Sequence, residues 1–119
     1  MGRRAPLHSE RGQAAVELVA ALPFVALLAA VLWQAAVAGQ AAWLAGSAAR
    51  AAARAQAVGG DTAAAARGVL PARLERGLRV RARTDGSVTV TLPVPLVAGR
   101  GRLTTVDARA RFEPQGAGR

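Results

Sequence analysis

Residues 18–49 read LVAALPFVALLAAVLWQAAVAGQAAWLAGSAA, a run without a single Asp, Glu, Lys or Arg. As helix, its roughly 32 residues extend ~48 Å, well beyond the ~20 residues that cross a bilayer. Large aliphatics crowd into Leu18 to Val37, so this part, residues 18–37, is predicted to span. From Ala41 to Ala57 alanine dominates, and its high helix propensity predicts that the helix continues beyond the membrane. Gly59-Gly60 then offers the left-handed positions that end helices. Pro23 falls inside the run; a membrane helix tolerates it with a bend, here expected near Leu22. One helix is therefore expected over residues 13–58, half in lipid and half outside it. Small side chains recur every four residues along Ala26, Ala30, Gln34, Ala38, Ala42 and Gly46, a line along which a neighbouring helix can approach closely.

Downstream, Asp61 is a good N-cap for a short helix through Ala63–Ala66 to about Leu70. Pro71 interrupts it, and Ala72 to Arg76 are expected to add one turn before Gly77. From Leu78 the period becomes two. Leu78, Val80 and Ala82 alternate with Arg79, Arg81 and Arg83; Val88, Val90 and Leu92 alternate with Ser87, Thr89 and Thr91. Asp85-Gly86 between them marks a hairpin over about residues 78–92. A two-residue loop would pair Arg83 with Val88 and mix charges with aliphatics on one face. A three-residue loop, Thr84-Asp85-Gly86, pairs Ala82 with Val88, Val80 with Val90 and Leu78 with Leu92. Only that register separates an apolar face from an Arg/Thr face, and Gly86 then supplies the left-handed residue of the turn.

Pro93 and Pro95 are expected to end the second strand or confine its continuation to an edge. Gly99 to Gly101 reads as a loop. A third strand is predicted over about residues 103–112, with Val106, Ala108, Ala110 and Phe112 inward and Asp107, Arg109 and Arg111 outward. Pro114 to Arg119 reads as a disordered tail. Residues 61–119 hold too few large apolar side chains to be stable alone without a disulfide or metal. Packing the sheet and short helix onto the alanine-rich half-helix Gly39 to Ala57 supplies what is missing. The predicted fold class is α+β: one long N-terminal helix, a transmembrane half plus an extramembrane half, a short second helix, and a small antiparallel three-stranded sheet packed on the helix.

Composition excludes most chemistry. There is no cysteine, His8 is the one histidine, and the seven carboxylates are scattered. No nucleophile stands beside a base, no metal-ligand spacing occurs, and the glycines form no phosphate loop. The sequence predicts no enzyme, no catalytic residue, no cofactor, no metal and no small-molecule substrate. The net charge of +9 comes from arginine alone. Aromatics are 3% of the chain, too few to stack single strands, and the arginines run from Arg3 to Arg119 without a stripe, so no nucleic-acid partner is expected. Arg79, Arg81 and Arg83 read as the wet face of a strand, and Arg50 and Arg54 as solvated charge flanking the helix.

The informative residues lie at the mouth of the apolar run: Arg11, Gly12, Gln13, Ala14, Ala15, Val16, Glu17. A carboxylate carried to the bilayer centre costs about 2.5–3.5 kcal/mol. Near the interface it costs less, and the positive helix N-terminus offsets part of it; Glu17 can therefore be simply an interfacial helix-start residue. A second reading joins it to Gly12, five residues earlier, and to the basic stretch of residues 1–12.

That arrangement resembles the type III signal of type IV prepilins, in which a membrane peptidase cuts after the glycine. The resemblance implies that residues 1–12 are a leader, that Gln13 begins the mature chain, and that Glu17 is its fifth residue. It further implies that Glu17 pairs with the new α-amine of a neighbouring subunit. The string RGQAAVELVAALPFVALLAA, residues 11–30, looks like the opening of TadE-like minor pilins of the tight-adherence pilus. Pro23 matches their proline just inside the helix, and Ala48, Ala49, Arg50, Ala53 and Arg54 match a frequent A-A-R-x-x-A-R end. The implied partners are a prepilin peptidase, other pilus subunits, the assembly machinery and the lipid bilayer. The implied location is the cytoplasmic (inner) membrane, single-pass, N-terminus inside and head outside, with incorporation into a cell-surface pilus as the implied fate.

Two other readings stay open. Ala36-Val37-Ala38 fits the small-residue cleavage site of an ordinary signal peptide. An uncleaved single-pass anchor with a small interaction head and no pilus role fits the same hydropathy. Arginines on both sides of the span leave orientation undecided by charge. The mature N-terminus separates the three readings: Gln13, Gly39 or Met1.

Overall fold

The computed structural model describes residues 9–96 and 101–112. The expected leader as far as His8, residues 99 and 100 of the expected loop, and the expected tail from Pro114 lie outside the described residues. Helix α1 spans Ser9–Ala57 and is continuous through Pro23. It starts ahead of the expected Gln13 because one glycine costs only about 1 kcal/mol against alanine, too little for Gly12 to stop it. Two compact units divide the chain, Met1–Trp33 and Gln34–Arg119.

In the second unit, α1 ends as its glycines predict. Gly59 takes a positive φ of 73°. Its N–H donates to the Gln56 carbonyl at 3.1 Å, and that of Gly60 to the Ala55 carbonyl at 2.7 Å, the paired bonds of a Schellman cap. Asp61 then caps α2, Thr62–Arg67, accepting from the N–H groups of Ala63 and Ala64 at 2.9 and 3.0 Å. The helix stops short of the expected Leu70 at Arg67. After Pro71 comes the single turn α3, Ala72–Glu75.

Three antiparallel strands follow, β1 (Arg79–Ala82), β2 (Ser87–Pro95) and β3 (Arg102–Arg111), in the order β1-β2-β3. The hairpin has the register of the three-residue loop: Val80 faces Val90 and Ala82 faces Val88. Gly86 has φ 80°, and Asp85 holds the turn by accepting from the Ser87 N–H at 2.9 Å and its hydroxyl at 2.6 Å. Leu78 precedes β1 and packs half-buried against the core.

Of two further expectations, one holds and one does not. Pro93 and Pro95, expected to end β2 or confine its continuation to an edge, take the second course: β2 is central where it pairs with β1 and runs on through both prolines as an edge. The reason is local: the β1 ladder stops at Arg79 opposite Thr91, so beyond it β2 pairs with β3 alone. Missing N–H groups there cost no ladder bond on the β1 side. Gly77 takes that space, and any side chain on it would overlap the Pro93 ring. Phe112, expected inward, is 45% exposed because it follows the last ladder pair, Ser87 with Arg111.

The apolar face of the sheet lies on α1. Val88, Val90, Leu92 and Val94 are fully buried. The first three share one core with Leu44, Ala45, Ala48, Ala49, Ala52 and Ala53 of α1, which Ala66, Leu70 and Leu74 close. These α1 positions recur at three- and four-residue steps, one helical face. Methyl-sized side chains on this face pack against the branched residues of β2. Each such Val or Leu, once buried, contributes about 1.5–3 kcal/mol. This buried stripe is distinct from the small-residue line through Ala38, Ala42 and Gly46, where Ala42 is exposed and Ala38 and Gly46 are only half-covered.

Candidate functional site

Gly12, Gln13 and Glu17 occupy the first turns of α1, and all three are exposed. Gln13 and Glu17 stand four residues apart and share one helical face; Gly12 does not lie on it. A Cβ built on Gly12 meets nothing within 4 Å, and its backbone is helical. Neither packing nor a left-handed conformation asks for glycine there.

Behind Glu17 the helix is bare. Every residue of α1 from Gly12 to Trp33 is exposed, among them Leu18, Leu22, Phe24, Leu27, Leu28 and Leu32 at 57–72%. The helix is long and apolar enough to cross a membrane, and none of its most apolar window is buried. A core helix of a water-soluble domain would have that window covered. Pro23 sits within this bare stretch, where its ring removes one intrahelical hydrogen bond. Trp33 is 63% exposed at the end of the unit, and Trp43, ten positions on, is 68% exposed.

Among the described residues, no group of three or more His, Cys, Asp or Glu side chains could hold a metal. A cleft of about 310 Å³ at the hairpin turn is lined by Gln56, Asp85, Arg111 and Phe112. Gln56 Nε2 donates to the Arg83 carbonyl at 2.8 Å, while its buried Oε1 has no partner. The Ser87 hydroxyl and N–H, with Arg111 and Arg83 nearby, hold the Asp85 carboxyl below the usual aspartate range. These contacts tie the turn to α1 and bring no nucleophile to a base.

Sequence reading missed one grouping. The outer face of the sheet brings Arg81 of β1 and Arg109 of β3 to either side of Thr89, and sets Arg79 across Thr91 from Asp107. The alternation within each strand was visible, but the strand order that joins the rows was not. Compared with protein-family models, with curated proteins and with solved structures, the chain matches none.

Proposed function

We propose that this chain is a pilin-like subunit of TadE type, a structural or assembly component of a type IV (Tad) pilus. The observation that carries the reading is a bare apolar helix directly behind Gly12 and Glu17, with no packing reason for the glycine. In this account the span lies in the cytoplasmic membrane, residues 1–12 are removed by a prepilin peptidase, and the α+β unit is displayed outside. Cleavage places a cationic α-amine on Gln13 at the helix N-terminus. Glu17 of a neighbouring subunit pairs with it, a charge-assisted contact strengthened where water is scarce. Apolar surface from Leu18 to Trp33 is then shared between lipid and adjacent helices.

Co-expression with a prepilin peptidase tests the processing step. Wild-type protein should lose its first twelve residues, and Gly12→Leu should accumulate as the longer precursor in the membrane fraction. Identical migration of the two, each with an intact N-terminus, refutes the leader.

A further inference from the structure

Folding gathers arginines that the sequence disperses. Because Val88, Val90 and Leu92 point into the core, their neighbours Thr89 and Thr91 form a hydroxyl column on the outer face. Arg79 and Arg81 flank that column on the β1 side; Arg109, with Asp107 next in its row, flanks it on the β3 side. Arg102, at the bulged start of the β3 ladder, lines with Arg79 and Arg81 a groove of about 390 Å³, and Arg109 stands beside it, outside its lining. All four arginines are exposed. The Asp107 carboxylate accepts the Thr91 hydroxyl at 2.6 Å, so it is held by the floor of the groove.

From this geometry we propose that the outer face of the sheet binds a single linear phosphodiester chain through its backbone. Each guanidinium offers a planar fork that fits a phosphate with two hydrogen bonds, and the Thr89 hydroxyl adds a donor between the rails, that of Thr91 being given to Asp107. Arginines on one strand repeat every ~6.8 Å, and the rails stand ~10 Å apart across two strand spacings. That repeat is about twice the 3.4 Å rise per nucleotide of a stacked strand, so it suits an extended chain. The face carries no aromatic or large aliphatic anchor, which a folded protein partner would need at its centre. Lacking aromatics, it has nothing on which bases can stack; the polymer is held through its phosphates alone. Scattered arginines and scarce aromatics argued against nucleic acid in the sequence, and only the scarcity survives folding. The inference is independent of whether residues 1–12 are removed.

Fluorescence anisotropy tests it on the full chain in nonionic detergent, with a labelled 12-nucleotide oligo-dT and an abasic phosphodiester of equal length. Both probes should bind alike. In Arg81→Ala/Arg109→Ala the slope of log K against log salt should fall by about 1.4, at ~0.7 per phosphate contact, with about tenfold weaker binding near 100 mM salt. Arg50→Ala/Arg54→Ala, on α1, should leave both unchanged, and Arg81→Lys/Arg109→Lys should keep the slope while losing affinity. Melting temperatures of all variants are compared to confirm that each is folded. Equal weakening by the α1 variant, an unchanged slope, loss of binding by the abasic probe, or competition by polyglutamate as strong as by oligo-dT would each overturn the proposal.

Discussion

Removing α1 from the second unit is the perturbation that most directly tests how this fold is held. Residues 34–119 form a compact unit by themselves, whereas residues 59–119 keep the sheet, α2 and α3 but lose the alanine stripe. Val88, Val90, Leu92 and Val94 are at 0% exposure in the intact unit. At ~1.5–3 kcal/mol per fully buried Val or Leu, uncovering half of their surface forfeits about 3–6 kcal/mol. Leu44 leaves with the helix, as do the bonds from Gln34 to the Pro95 carbonyl at 3.0 Å and from Gln56 to the Arg83 carbonyl. Domains are stable by about 5–15 kcal/mol, and one this small lies at the low end. The 34–119 fragment should therefore melt cooperatively by circular dichroism and give dispersed amide resonances. The 59–119 fragment should do neither. A cooperative transition in the shorter fragment would show that the sheet and its two short helices suffice, against the packing described here.

Gly77→Ala forces a methyl into the Pro93 ring and should cost about 1–3 kcal/mol in urea titrations of the 34–119 fragment; adding Pro93→Ala should recover most of it, and an unaffected single variant would contradict the close approach. The Asp85 carboxyl is held below the ordinary aspartate value, so its contribution is present above that value and is lost as pH falls through the lowered one. The gap in urea midpoint between wild type and Asp85→Asn should accordingly close as pH falls below the ordinary aspartate range; a gap that persists at the acid end would mean that the turn does not depend on the charge. Glu17→Ala should still be processed and inserted, since it removes a charge that opposes insertion, yet should fail to crosslink to other pilus subunits; wild-type crosslinking would reduce Glu17 to an interfacial helix-start residue.

Much of this architecture was legible because its signals are local. Gly59-Gly60 and Asp61 act within a few residues of themselves, and the choice between two hairpin loops followed from whether Arg83 or Ala82 should face Val88. The buried face of α1 was not legible. Alanine surrounds the helix on every side, so no contrast in side chain separates Ala41, Ala45 and Ala49 from the exposed Ala42. Pro93 and Pro95 were read as ending β2 or continuing it at an edge; which of the two holds depends on where β1 stops, and a reading of β2 alone does not contain that. Phe112 looked like the last member of an inward series, but the ladder ends one residue before it. At the candidate site, Gly12 and Glu17 were recognised by spacing alone, and the fold contributes the absence of a packing role for Gly12. The arginine face needed the strand order, a long-range property, before its rows could be assembled.

The identity of the mature N-terminus tests the central claim most directly. Intact-mass measurement and N-terminal sequencing of the protein from the membranes of cells that build the pilus should find a chain beginning at Gln13, with Glu17 as its fifth residue. A chain beginning at Met1 would make the bare helix an uncleaved anchor, and one beginning at Gly39 would make it an ordinary signal peptide. Either result would contradict a pilin-like subunit.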